Sequence, residues 1–344
     1  MATYSELLSQ AWADHKAPKA EGAPTVVSTF AGAGGSTLGY SMAGYRELMA
    51  VEWEDHAAQC YRRNFSHVDL FHGDIAKLDT ARLGLAPGEL DVLDGSPPCQ
   101  GFSVSGKRDL ADPRNQLFRE FIRLLDDWQP KVFVMENVAA MAQGGTRPLF
   151  LEILKTLRKA GYRVSARVVD ASLLGVPQKR KRMIFIGVRK DLGIDPPFPT
   201  PQRRVFTVKD AIFDIPDSEL GEYIRPKGRY EKLSALIPQG SQMDRLLVEH
   251  GKKGTSFGLK RLNQDLPSNT LIKTSSAYAG LLHPTKNRFI STREAARIQS
   301  FPDEYDWGDS AYGKIIARLG NSVPPLMMRA IAEAIDREVL QKVK

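Results

Sequence analysis

The residues best suited to chemistry in this chain are a thiol, a carboxylate and two guanidiniums. The thiol is Cys99, in the stretch Asp91-Val92-Leu93-Asp94-Gly95-Ser96-Pro97-Pro98-Cys99-Gln100-Gly101-Phe102-Ser103. Apolar residues run up to Asp94, and then Gly95, Pro97 and Pro98 stop any ladder or helix. A thiol placed after such a rigid corner stands at the carboxyl end of a strand, where open α/β sheets hold ligands. A lone cysteine is usually a small buried hydrophobe. Cys60, in Ala57-Ala58-Gln59-Cys60-Tyr61, fits that description, whereas the flanks of Cys99 favour a nucleophile. The carboxylate is Glu136, which ends the strand-like run Lys131-Val132-Phe133-Val134-Met135 at the same sheet edge. A carboxyl group that donates a proton near neutrality needs a buried crevice, and the plainer alternative is a loop or capping carboxylate. The guanidiniums are Arg180 and Arg182, in Gly175-Val176-Pro177-Gln178-Lys179-Arg180-Lys181-Arg182. Residues two apart share a face in an extended run. Gln178, Arg180 and Arg182 then point one way, and two guanidiniums on one face suit a phosphate or a polarised carbonyl.

These groups need a sheet to carry them. Thr25-Val26-Val27-Ser28-Thr29-Phe30 reads as a strand and runs into Ala31-Gly32-Ala33-Gly34-Gly35-Ser36-Thr37. Strand, glycine turn and helix is the layout of a nucleotide-type cofactor site. The third glycine of the dinucleotide fingerprint is missing, since Thr37 takes its place. A second strand, Leu48-Met49-Ala50-Val51, ends in Glu52-Trp53, with Glu52 twenty residues past Gly32. An acid there suits a ribose diol and an adjacent indole suits a purine face, although a strand-end acid is often just a solvated charge. After a helix over His56–Asn64, a short strand over 67–71 leads into Gly73-Asp74-Ile75, with Asp74 placed for an adenine amino group. Three strand ends supplying glycines, an acid and another acid describe an adenosine site. They do not choose between NAD and S-adenosylmethionine. Helices are expected over 115–128 and 147–159, and further strands over 162–169 and 182–188. The stretch 101–115, rich in Gly, Ser and charge, is expected to be a mobile loop.

The chain has 344 residues and a formal charge of +8, which favours a polyanionic partner. Two cysteines make no disulfide framework and fit a reducing cytoplasm. No apolar run is long enough for a bilayer, and no secretory pattern opens the chain. The six histidines are scattered, and no metal site is expected. Pro196-Pro197-Phe198-Pro199-Thr200-Pro201 marks a boundary. From Asp191 to Ile290 there are 15 Lys or Arg against 11 Asp or Glu, a net of +4, in a turn-rich segment compatible with reading DNA. Ser291 or Thr292 is expected to cap a helix over 293–299 that Phe301-Pro302 stops. A helix over 310–319, the turn Gly320-Asn321-Ser322-Val323-Pro324-Pro325 and a last helix over 325–343 follow. The first 24 residues read as a polar leader with one short helix over 5–12.

Together these stretches resemble the C5-cytosine DNA methyltransferases of the bacterial modification type. The resemblance rests on Phe30 to Gly35, Glu52-Trp53, Gly73-Asp74-Ile75, Pro97-Pro98-Cys99-Gln100, Glu136-Asn137-Val138, Gln178 to Arg182, Arg293-Glu294-Ala295-Ala296-Arg297 and Gly320-Asn321-Ser322-Val323, all in the family's order. Ser36 departs from an apolar position of the family and Ser300 from a frequent glycine.

The resemblance implies an α/β fold, a doubly wound, mostly parallel class I S-adenosylmethionine-dependent (Rossmann-like) sheet with a smaller, irregular target-recognition domain. The expected divisions are 1–24 leader, 25–190 catalytic and cofactor-binding, 191–307 target recognition and 308–344 a return to the catalytic domain, with a DNA cleft between the two domains. The methyl donor is S-adenosylmethionine, leaving S-adenosylhomocysteine, with Phe30, Gly32, Gly34, Glu52, Trp53, Asp74, Ile75, Pro98, Leu117, Asn321 and Val323 around it. Cys99 adds to carbon 6 of a flipped-out cytosine, Glu136 protonates N3, Arg182 polarises the carbonyl and Arg180 supports Cys99, its loop or a phosphate. Gln100, Ser103, Ser105 and Gln178 fall to DNA. The implied partners are double-stranded DNA and a cognate restriction endonuclease; no membrane is implied, and the expected state is a monomer. The protein would be bacterial or phage-encoded, in the cytoplasm and held at the nucleoid through DNA. A tRNA cytosine-5 methyltransferase of the same superfamily is the alternative, disfavoured by the long segment before Arg293. A nicotinamide dehydrogenase is disfavoured by Pro98-Cys99-Gln100, and a silent DNA-binding protein by the presence of both thiol and carboxylate.

Overall fold

In the computed structural model, residues 2–98, 116–244, 258–273 and 279–343 are described. They form two compact units: a sheet unit of Asp14–Asp170, Lys181–Thr200 and Met328–Lys344, and a second unit of Met1–Ala13, Ala171–Arg180 and Pro201–Met327.

The sheet unit carries β1 (Thr25–Thr29), β2 (Arg46–Glu52), β3 (Asp69–His72), β4 (Val92–Gly95), β5 (Val132–Val138), β6 (Tyr162–Asp170) and β7 (Lys181–Arg189). Their order across the sheet is β3-β2-β1-β4-β5-β7-β6. The first five are parallel, and β7 runs antiparallel to both of its neighbours. The doubly wound, mostly parallel sheet implied by the resemblance is therefore present. Strand order reverses between β1 and β4, so the glycine turn after β1 and the proline corner after β4 flank the switch point where such sheets bind ligands.

One face of this sheet is apolar because alternate residues share a face. Val27, Met49, Leu93, Phe133, Met135 and Phe185 pack with two helices, α4 (Gln116–Trp128) and α5 (Arg147–Lys159). Phe118, Phe121, Leu124, Leu125 and Trp128 form the buried stripe of α4. Each such burial contributes about 1.5–3 kcal/mol. Gly95 is dictated here, since a β-carbon would collide with Thr29 and Phe121. The opposite face, beneath α2 (Gly35–Met42) and α3 (Asp55–Asn64), is more polar: Ser28, Glu47 and Asp94 are all buried. Cys60 is buried in α3, as core filler should be.

The second unit has little ladder. Its strands β8 (Leu259–Arg261) and β9 (Gly280–Leu282) pair over three residues. The unit also holds helices α6 (Val208–Ile212), α7 (Arg229–Ala235), α8 (Thr292–Ile298) and α9 (Tyr312–Asn321), with α8 packed against α6 and α9, and the opening helix α1 (Tyr4–Lys16) supplies its first residues. α1 is longer than expected, and the Tyr4 hydroxyl donates to the Arg297 carbonyl at 2.9 Å. Ser291 caps α8 in a reciprocal box with Glu294. Ser300, just past α8, has φ 66, a left-handed backbone that favours glycine, and its hydroxyl accepts the Leu326 N–H at 3.2 Å. Leu326 belongs to the last helix, α10 (Pro325–Glu338), which ends five residues before the expected 343. Among the described residues no helix is long and apolar enough to cross a membrane.

Candidate active site

The turn after β1 is braced from the next strand. The Glu52 carboxylate accepts backbone N–H bonds from Gly32 (2.7 Å), Trp53 (2.9 Å) and Glu54 (2.8 Å). Its first task is thus to hold the turn, with part of its acceptor capacity left over. Phe30 and Gly32 both have positive φ, 55° and 57°, and nothing lies within 4 Å of where a Gly32 side chain would begin. Gly34, at φ 84, starts α2, and any side chain there would strike Phe65. Trp53 is 75% exposed beside Glu52. Asp74 is exposed and caps the next turn through the Ala76 N–H, while Ile75 is buried and Leu117 half-buried. An uncovered indole, a turn-end carboxylate and an open glycine backbone fit an adenosyl group in shape and donor set.

The ends of β4 and β5 make the second half. Asn137 is buried, and its amide donates to the Pro97 carbonyl at 3.1 Å, tying β5 to the proline corner. Glu136, one residue earlier, receives the Nε–H of Arg182 from β7 at 2.7 Å. The two side chains are 13% and 15% exposed, so the pair is desolvated yet open at one edge. Pro98 is exposed. Cys99, Gln100, Ser103, Ser105 and the expected loop over 101–115 lie outside the described residues.

Below that edge sits Asp94, 2% exposed, within 3.4 Å of the Tyr40 hydroxyl. Burial pushes its carboxyl up to about 7, with the charge of Glu136 adding to the effect and Ser36 and Tyr40 opposing it. In the sequence Asp94 reads only as an acid at a strand's end before a glycine, and its burial is visible only in the fold. The role of Asn137 was missed too, although its place in Glu136-Asn137-Val138 was the available signal.

The remaining expected residues are in the second unit. The Arg180 guanidinium is buried and donates to the carbonyls of Leu271 (3.1 Å), Gly320 (2.9 Å) and Ser322 (3.0 Å). It brackets Asn321, which is exposed, and Val323, which is buried. Gln178 is fully buried, with its amide bonded to Gln299 (2.5 Å) and to the Leu271 N–H (2.9 Å). Neither residue lies in β7, which starts at Lys181, so the expected single face of Gln178, Arg180 and Arg182 is not one strand face. Arg182 alone of the three lies in the sheet unit.

The C-5 cytosine-specific DNA methylase family profile matches residues 25–337. The chain is 37% identical over 332 residues to Type II methyltransferase M1.HphI of Haemophilus parahaemolyticus, covering 90% of this chain and 86% of that one. It is 34% identical over 357 residues to Type II methyltransferase M.PspPI of Psychrobacter, covering 97% and 84%. Among solved structures, an E. coli protein described as a prophage-encoded DNA modification methyltransferase superposes with a TM-score of 0.69 at 27% identity, over 92% of this chain and 99% of that one. A Spodoptera frugiperda DNMT2 superposes with a TM-score of 0.64 at 19% identity, over 91% and 99%, which is a likeness of fold.

Proposed function

The chain belongs to the C-5 cytosine-specific DNA methylase family and is a DNA (cytosine-5-)-methyltransferase, and from this premise we propose how its residues carry the reaction. The observation that supports the reading best is the half-open Glu136–Arg182 pair beside the Asn137–Pro97 tie, where the chain turns toward Cys99.

The Cys99 thiolate adds to carbon 6 of a cytosine turned out of its duplex, which makes carbon 5 an enamine carbon. Glu136 holds a proton against ring N3, and Arg182 both orients Glu136 and polarises the base carbonyl. S-adenosylmethionine, the methyl donor that the family implies, would when bound supply an electrophilic methyl group for carbon 5. Loss of the carbon 5 proton to water then expels Cys99 and restores the ring, and the spent donor would be S-adenosylhomocysteine. Trp53 would stack on its purine, Glu52 would take the ribose with its spare acceptor capacity, and Asp74 would take the adenine amino group. Phe30, Gly32, Gly34, Ile75, Pro98, Leu117, Asn321 and Val323 complete the donor's surroundings. Arg180 keeps the Asn321 turn in shape. Gln100, Ser103 and Ser105 contact DNA. A cognate restriction endonuclease shares the target sequence, and the protein works as a monomer in a bacterial cytoplasm.

The test is methyl transfer from labelled S-adenosylmethionine to unmethylated duplex DNA, with a duplex containing 5-fluorocytosine as a trap. A denaturation-resistant complex that disappears in Cys99→Ser is expected, with cofactor affinity kept within about threefold. Full activity of Cys99→Ser sinks the mechanism. Transfer to tRNA with none to DNA would replace the substrate.

A further inference from the structure

We propose that Asp94 is a positioning residue for methyl transfer, its negative charge helping the hydrogen bond between Glu136 and the base to keep its proton. The proposal rests on the role given to Glu136 above.

The register makes the argument. Asp94 on β4 pairs with Val134 on β5, and Glu136 is two residues further along β5. Residues two apart share a face, so both carboxyl groups project from the same side of adjacent parallel strands, on a diagonal of about 8 Å set by the strand spacing and a two-residue rise. Asp94 is 2% exposed, so solvent screens this interaction poorly. The groups around it contribute little opposing charge. Tyr40 and Ser36 from α2 hydrogen-bond its carboxyl, and Glu47 from β2 is a buried group held neutral by desolvation. Across the pair stands Arg182, already engaged by Glu136.

The carboxyl of Asp94 changes charge near neutral pH. Below that point it is neutral and has no effect on the site. Above it, where solution protons become scarce, its charge favours the proton shared by Glu136 and ring N3. No bond is made or broken by Asp94 itself.

The experiment is single-turnover methyl transfer from labelled S-adenosylmethionine to plasmid DNA grown without methylation, from pH 5.5 to 9, for wild type, Asp94→Asn, Tyr40→Phe and Glu136→Gln. The Asp94→Asn rate is expected to match wild type at pH 5.5 and to fall about 5- to 10-fold below it at pH 8.5. Tyr40→Phe removes a hydrogen bond that favours the ionised carboxyl, so its deficit is expected only around pH 7–8. A rate ratio that stays flat with pH overturns the proposal and leaves Asp94 a structural residue. If Asp94→Asn does not fold, Tyr40→Phe decides by the same criterion. Glu136→Gln separates the two readings: a rate within about tenfold of wild type there refutes the role of Glu136 itself, whatever Asp94 does.

Discussion

Two arginine–glutamate pairs in this molecule look alike on paper and differ in what surrounds the carboxylate. In the sheet unit, Arg182 is the one described donor to Glu136. In the second unit, Glu294 takes both guanidinium nitrogens of Arg288, at 2.7 and 2.8 Å, and also the Ser291 N–H at 2.7 Å. Glu294 is 1% exposed and Arg288 5%. A carboxylate saturated by donors and shut off from solvent has nothing left to offer a substrate. One that is half-open with acceptor capacity to spare does. The contrast extends beyond these pairs. Arg261 also spends its donors on carbonyls, those of Ser234, Ile237, His283 and Lys286. A unit with so little ladder must satisfy its buried carbonyls by other means, and guanidiniums supply several donors each.

The comparison breaks most sharply at Glu136. Glu136→Gln is expected to lower single-turnover methyl transfer about 10²- to 10⁴-fold and to leave the unfolding midpoint almost unchanged. Equal losses of activity and stability would put Glu136 in the same class as Glu294. The converse substitution is Arg288→Met, which strands a buried carboxylate. It is expected to cost about 3–5 kcal/mol in denaturant unfolding, while the methyl-transfer rate per folded molecule stays within about threefold. The third and smallest effect concerns pH. Asp94 ionises near pH 3.8 when unfolded but is held up to about 7 in the fold. The folded state therefore loses stability as pH rises between those values and loses no more above them. Asp94→Asn removes that loss. Its unfolding free energy relative to wild type is expected to rise by about 2–4 kcal/mol between pH 4 and pH 8. A constant difference would show that the buried carboxyl is not proton-linked to folding.

Much of the sheet unit was legible because its signals are local. The β-branched run before Gly32, the acid at Glu52 and the corner at Pro97-Pro98 each state a strand end, while the switch point follows only from the order of the strands in the sheet. The cap at Ser291 was equally plain. What escaped was the division of labour among polar residues. Glu52 reads as a ligand for ribose, but it braces three backbone N–H groups first, and bonds to backbone leave no trace in residue type. Arg180 and Arg182 are two residues apart and look equivalent. One stays outside the sheet, its guanidinium bracketing Asn321, and the other lies in β7, because the strand begins between them. Asp94 was hidden for another reason: its burial depends on α2 folding over the sheet, which no short stretch encodes. The second unit was the least legible, since loops fastened by long-range arginine bonds have no periodicity to read.

Ser300 carries a consequence of a different kind. Its left-handed torsion is what a glycine would adopt freely, and a serine there is strained, yet its hydroxyl recovers a hydrogen bond to the first turn of the last helix. The strain and the hydrogen bond offset each other. A glycine and a serine at this site are therefore two spellings of one backbone geometry. A profile that scores letters penalises a change that the fold scarcely registers. Family patterns at such corners are better compared as torsions than as residues.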